Sequence, residues 1–233
     1  MILIFGGTTE GRAAVKVVEQ GSKPFFYSTL GDAQQLDLLH GTRLTGALDA
    51  GAAASFCRKN DIRLLIDAAH PFAEGVHRTV AQTAAACRLP VIRYERRPVA
   101  LTGEGVIPCA DYGEAMRRLE ADGVDRLLAL TGVRTIPKLR PFWMRHDCYF
   151  RILERDDSVA EAVAAGFPRE KLCFYHPDEA ETVLLQQLRP SAVLTKESGE
   201  SGGLPAKIEA ARGLHIPIDV VQRPPLPDAF DRV

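Results

Sequence analysis

The sequence predicts an α/β protein built from two similar halves, each a doubly wound parallel sheet, with a cleft between them. Three observations carry this expectation. Short apolar runs such as Met1–Phe5 and Arg63–Ala68 lack polar alternation, as strands do when helices cover both faces of the sheet. Helix-length segments with one apolar stripe separate those runs. Small-residue loops follow several of the runs, at the strand ends where such sheets bind ligands.

Taken in order, Met1–Phe5 reads as a strand and Thr9–Gln20 as a helix, with Ala13, Ala14, Val17 and Val18 on one stripe and Gly21 as its stop. Pro24–Thr29 follows as a strand and Arg43–Thr45 as a short third. Ala50–Lys59 is a helix, Arg63–Ala68 a strand, Glu74–Cys87 a helix and Pro90–Tyr94 a strand. The pattern loosens over residues 96–105, which divides the chain into domains 1–99 and 100–233. The second half offers strands near Val106–Ile107, Arg126–Thr131, Tyr149–Leu153, Leu172–Phe174, Ala192–Thr195 and Ile218–Val221. Helices near Asp111–Asp122, Ser158–Ala165, Asp178–Leu188 and Gly203–Arg212 connect them.

Composition excludes several classes. With 29 Lys+Arg against 30 Asp+Glu in 233 residues, the chain lacks the basic excess selected by nucleic acid or an anionic membrane. No apolar run approaches a membrane span, and the N-terminus has no signal-peptide pattern, so a cytoplasmic protein is expected. The five cysteines are scattered without a Cys-x-x-Cys, and the six histidines show no ligand spacing, so neither a disulfide framework nor a metal site is expected.

The first loop, Gly6-Gly7-Thr8-Thr9-Glu10-Gly11-Arg12, joins a strand to a helix and suits a phosphate. Glycines let the backbone approach it, and the helix N-terminus supplies N–H groups and positive partial charge. The loop is not a P-loop, because Arg12 and Ala13 stand where Lys and Ser/Thr are required. It departs from G-x-G-x-x-G at Thr8, so it reads as a variant phosphate loop; the plain alternative is a tight turn without ligand. No carboxylate ends the second strand, where Ser28 and Thr29 stand with Arg12 or Arg43 nearby. NADP(H) is therefore favoured over NAD(H).

Other strand ends add candidates. Asp67, His70 and Phe72 follow the RLLI run; Arg93, Glu95 and Arg96 close the next strand, where arginines in a cleft would grip carboxylates. In the second half, Thr131-Gly132 forms a small turn, and Lys196-Glu197-Ser198-Gly199, then Gly202, Gly203 and Lys207, form an anion or substrate cradle. The plain alternative is that Lys196 and Glu197 simply neutralise each other as a surface pair. Trp143, beside Phe142, reads as packing.

Five segments in this order, ILIFGGTTEGR, IDAAHPFA, IRYERRP, LTGVRTI and TKESGESGG with IPIDVVQRPP, resemble the precorrin-6A reductase family of cobalamin biosynthesis, including its cobalt-precorrin-6A members. They run from residue 2 to about residue 225. Ala69 stands where family members often carry Thr. The resemblance implies two Rossmann-like domains with the active site between them. It also implies NADPH- or NADH-dependent reduction of one carbon–carbon double bond of a macrocycle bearing many carboxylates, without flavin or metal, in a pathway whose neighbouring enzymes could receive the product.

On that reading Gly6–Arg12 hold the pyrophosphate, with Ser28, Thr29 and Arg43 at the adenosine ribose. Arg93, Arg96, Lys196 and Lys207 grip substrate carboxylates. Asp67, His70, Glu197 and Ser198 line the reaction centre, and His70 is the natural proton donor. Two rivals stay open: an NADP-binding redox sensor without turnover, and an S-adenosylmethionine-dependent methyltransferase, which normally wants an acidic residue after the second strand.

Overall fold

The computed structural model describes residues 1–32, 34, 36–227 and 230–232. The chain forms two compact units, Met1–Arg96 with the C-terminal segment from Pro224, and Arg97–Arg223.

In the first unit, β1 (Ile2–Phe5), α1 (Thr9–Glu19), β2 (Phe25–Thr29), β3 (Gly41–Thr45), α2 (Ala50–Lys59), β4 (Leu64–Asp67), α3 (Glu74–Cys87) and β5 (Val91–Arg93) follow in sequence, and β12 (Asp231–Arg232) arrives from the C-terminal segment. They build one parallel sheet in the order β12-β5-β4-β1-β2-β3. The pleat sends Leu3, Phe5 and Leu65 to one face, against Ala53 and Cys57 of α2 and Val80 and Ala84 of α3. Ile4, Phe25, Tyr27 and Ile66 face the other way, against Ala14 and Val15 of α1. Burial on both faces accounts for the unbroken apolar runs in the sequence.

The second unit holds β6 (Val106–Cys109), α4 (Tyr112–Ala121), β7 (Arg126–Ala129), α5 (Arg140–Trp143), β8 (Asp147–Ile152), α6 (Asp156–Ala164), β9 (Leu172–Phe174), α7 (Glu181–Leu188), β10 (Ala192–Lys196), α8 (Leu204–Gly213) and β11 (Ile218–Val221). Its sheet is also parallel, in the order β6-β11-β10-β7-β8-β9. Leu128, Val193, Ile218 and Val220 pack beneath Leu185 of α7 and Leu204, Ala210 and Ala211 of α8. Trp143 packs edge-on to Phe167 at 5.3 Å and donates its indole N–H to the Ile136 carbonyl, so it is a packing residue.

The two Rossmann-like sheets expected from the sequence are present. The division differs: the structure draws it between Arg96 and Arg97, and it returns the segment from Pro224 to the first unit, where Asp231 and Arg232 pair with Ile92 and Arg93. A two-residue strand after a proline-rich stretch has no apolar run to announce it, so the sequence reading left it with the second half. Among the described residues, no helix is long and apolar enough to cross a membrane.

Candidate functional site

In each sheet the strand order reverses at one point, and ligands of open α/β sheets sit beyond the carboxyl ends of the strands there. In the first unit that point lies between β1 and β4, in the second between β7 and β10. The candidate loops named from the sequence follow these strands.

The β1–α1 loop is tightly supported from below. Thr8 caps α1: its Oγ1 accepts the Gly11 N–H at 2.9 Å and donates to the Ala68 carbonyl at 2.6 Å, tying the loop to the end of β4. Gly7 is exposed, has φ +88°, and a Cβ there would meet no atom nearer than 4.0 Å. Gly6 and Gly11 instead lie against Tyr27, whose ring would sit 2.2 Å from a Cβ on Gly6 and whose hydroxyl would sit 2.7 Å from one on Gly11. Glycine is therefore required at 6 and 11 by the packing beneath the loop, and at 7 by backbone conformation.

Tyr27, on β2, is a residue that no motif in the sequence singles out. Its side chain is fully buried. The hydroxyl accepts the Gly7 N–H at 2.8 Å and donates to Gln34 Oε1 at 2.5 Å, and Gln34 Nε2 donates to the Thr8 carbonyl at 3.0 Å. Burial pushes the phenol up, against the opposing pull of the Gly7 N–H, Arg43 and Arg12, so it stays protonated at neutral pH. Tyr27→Phe keeps the ring and strands one part-buried donor and one part-buried acceptor. It is expected to cost about 1–3 kcal/mol, read as a lower melting temperature with unchanged far-UV circular dichroism; an unaltered melting temperature would contradict the network.

Of the cofactor candidates, Thr9 and Arg12 are exposed, and Ser28 and Thr29 are buried at the end of β2. Thr29 Oγ1 donates to the Gly31 carbonyl at 2.7 Å, and Arg43 donates to the Gln34 carbonyl. Glu10 is taken up within its own unit: its Oε2 accepts from Arg96 Nε at 3.1 Å and Nη2 at 2.7 Å, with both residues buried. Arg96 is thereby engaged with a carboxylate of its own unit, and the Glu10–Arg96 pair joins α1 to the segment after β5.

Asp67 ends β4 with no exposure, and a fully buried Arg93 ends β5 beside it. Arg93 Nη1 donates to Asp67 Oδ1 at 2.9 Å and to the carbonyls of Asp67 at 3.0 Å and Ala69 at 2.9 Å. Arg93 therefore organises the β4–α3 turn from within, and its enclosure takes it off the surface that could grip a carboxylate. His77 of α3 completes the cluster, its Nδ1 lying 2.6 Å from Asp67 Oδ2. Above this core, the half-buried His70 accepts the Phe72 N–H on Nδ1 at 3.1 Å, and the two rings lie 5.9 Å apart. With Nδ1 accepting, the proton of a neutral His70 sits on Nε2.

In the second unit, the turn after β7 is closed by hydroxyls. Thr131 and Thr135 share a 2.6 Å hydrogen bond, Thr135 donates to the Gly132 carbonyl at 2.7 Å, and Gly132 has φ +80°. After β10, Ser198 Oγ donates to the Gly202 carbonyl at 3.0 Å and Lys207 Nζ to the same carbonyl at 3.2 Å. Gly199 and Gly203 take φ +74° and +70°. Glu197 is held by Arg223, whose N–H donates to Oε2 at 3.0 Å and whose Nε donates to the Glu197 carbonyl at 3.1 Å. The sequence weighed Lys196 as the partner of Glu197; an arginine 26 residues on, in the IPIDVVQRPP segment, holds that carboxylate.

The family model described as "Precorrin-6x reductase CbiJ/CobK" matches residues 1–233. A cobalt-precorrin-6A reductase of Synechocystis sp. is 29% identical over 231 residues, covering 96% of this chain and 88% of that protein. A precorrin-6A reductase of Rhodococcus erythropolis is 31% identical over an alignment of 241 residues, covering 100% and 92%. Among solved structures, a CobK precorrin-6A reductase matches in fold with a TM-score of 0.80 at 21% identity, covering 100% of this chain and 91% of that one.

Proposed function

The chain belongs to the precorrin-6x reductase family and is an oxidoreductase of cobalamin biosynthesis; from that premise we propose that it uses NADPH to reduce one carbon–carbon double bond of precorrin-6A or its cobalt-bearing counterpart. A nicotinamide cofactor follows from the reductase family. The observation that carries the cofactor reading is the cradle at Gly6–Gly11. Its open side is the exposed, positive-φ Gly7 at the N-terminus of α1, and its floor is closed by Tyr27.

The residues fit a dinucleotide phosphate. Thr8 and Thr9 would hold the pyrophosphate with backbone N–H groups, over Gly7, whose own N–H is tied down to Tyr27, and Thr8 also fixes the loop to Ala68. Arg12 and Arg43 both lie close enough to act on the Tyr27 hydroxyl, and no carboxylate ends β2, which supports a 2′-phosphate over a free 2′-hydroxyl. Arg12→Ala is expected to weaken NADPH binding about 10- to 100-fold, the value of a lost charge-assisted contact, while NADH binding barely changes. Fluorescence titration with each dinucleotide reads this; equal losses for both would contradict a 2′-phosphate contact.

When bound, the nicotinamide supplies a hydride to one carbon of the double bond. His70 is assigned as the proton donor to the neighbouring carbon: its Nε2 proton is transferred and replaced from solvent, to which the half-buried ring has access, while Phe72 packs beside the ring. Lys196 and Lys207, with the Ser198–Gly203 loop and the Thr131–Gly132 turn, are assigned to the substrate's carboxylates. Asp67 and Arg93 support His70 from the interior. The protein acts in the cytoplasm on a diffusible substrate, and passes its product to the next enzyme of the pathway. His70→Ala is expected to lower kcat by about 10²–10⁴-fold with little change in the KM for NADPH. A His70→Ala enzyme that keeps most of its turnover would sink the donor assignment.

A further inference from the structure

The buried cluster beneath His70 contains a second histidine that the reaction does not itself require. His77 lies in the first turns of α3 with 2% exposure, and it can neither reach solvent nor leave its partners. Its Nδ1 faces the Asp67 carboxylate at 2.6 Å, while its Nε2 faces the carbonyl oxygens of His70 at 3.1 Å and Pro71 at 3.3 Å. A carboxylate and a carbonyl are acceptors only, so each nitrogen must donate, and a neutral imidazole carries one proton.

We propose that His77 is the positioning residue of this site: an imidazolium, protonated on both ring nitrogens, that grips the His70–Pro71 turn from below and so fixes the His70 ring above it. Asp67 (from β4) and Glu95 (after β5) are carboxylates, and Arg93 (from β5) lies 2.9 Å from the first and 3.9 Å from the second. With His77 charged, both ring nitrogens donate and the buried Asp67 carboxylate is flanked by His77 and Arg93; with His77 neutral, one buried carbonyl acceptor faces a bare lone pair.

Consequences run outward through the backbone. The His70 carbonyl is held by His77 Nε2 and by the Ala73 N–H at 2.7 Å, and the Phe72 N–H then meets His70 Nδ1. Four carbonyls in five residues, those of Asp67, Ala69, His70 and Pro71, are turned inward onto two cations. The His70 ring and its Nε2–H tautomer are thus selected by a residue seven positions further on. This inference rests on the reading of His70 as the proton donor.

The test is a long-range ¹H–¹⁵N correlation spectrum of the full chain, labelled with ¹⁵N-histidine, at neutral pH. Expected in the wild type are near-equal imidazolium signals for both nitrogens of His77, and the widely split pair of an Nε2–H tautomer for His70. In His77→Gln the His70 pair should collapse toward a tautomer mixture, and kcat should fall by up to about a hundredfold, the effect of a misplaced reacting group, at constant KM for NADPH. A split, neutral pair for His77 in the wild type overturns the proposal, even if no variant folds. Unchanged His70 signals in His77→Gln overturn it as well, as does an unchanged kcat beside an impaired His70→Ala. Altered His70 signals with full turnover in both variants would uphold the positioning and overturn the donor reading instead.

Discussion

Gly6→Ala is expected to destabilise the first unit by about 1–3 kcal/mol or more and to remove dinucleotide binding. The new Cβ would lie 2.2 Å from Cε2, 2.4 Å from Oη and 2.5 Å from Cζ of Tyr27. That ring has no free space to yield: it is wholly buried, and its hydroxyl is pinned between the Gly7 N–H and Gln34. Relief must come from the loop backbone, which is the surface proposed to meet phosphate. Gly7→Ala is the informative contrast, because space is open there and only the positive φ is strained, at a cost of about 1–2 kcal/mol. Thermal melts with NADPH titrations compare the two; a Gly6→Ala protein with wild-type melting temperature and affinity would contradict the packing argument.

Asp67→Ala is expected to cost about 3–5 kcal/mol, because it leaves the buried Arg93 charge and the buried His77 ring without their carboxylate. Arg93 and His77 would each lose their closest charged partner, at 2.9 and 2.6 Å, and Ala69 would lose the acceptor for its N–H at 3.0 Å. Chemical denaturation measures the loss. Adding Arg93→Met should restore part of it, since removing an unpaired buried charge is favourable even when a hydrogen-bonded pair is not rebuilt. A loss below about 1 kcal/mol in the single variant, the range of an exposed pair, would show that the cluster is hydrated and the carboxylate dispensable.

The parts of the fold set by local pattern were legible in the chain. Apolar runs announced β1, β2, β4 and β10, and Gly and small-residue loops marked the strand ends at both switch points. Elements without a run of their own escaped: α5 has four residues, and β12 has two and is formed by pairing with β5. Site residues divided in the same way. The Gly6–Gly11 loop carries its constraint in its own composition. For Arg93 the residue type pointed to a carboxylate grip, whereas its register on a strand buried on both faces encloses it. Tyr27, His77 and Arg223 act through partners 20, 10 and 26 residues away in the chain, a relation that no window of sequence displays.

The most direct measurement is anaerobic turnover: the purified chain mixed with NADPH and enzymatically made precorrin-6A, and in parallel with its cobalt-bearing form. A fall of the nicotinamide absorbance near 340 nm together with a shift of the macrocycle spectrum, at one-to-one stoichiometry and faster than with NADH, is the predicted result in at least one of the two. Static spectra with both macrocycles, while NADPH still binds, would contradict the reductase and leave a dinucleotide-binding protein without turnover.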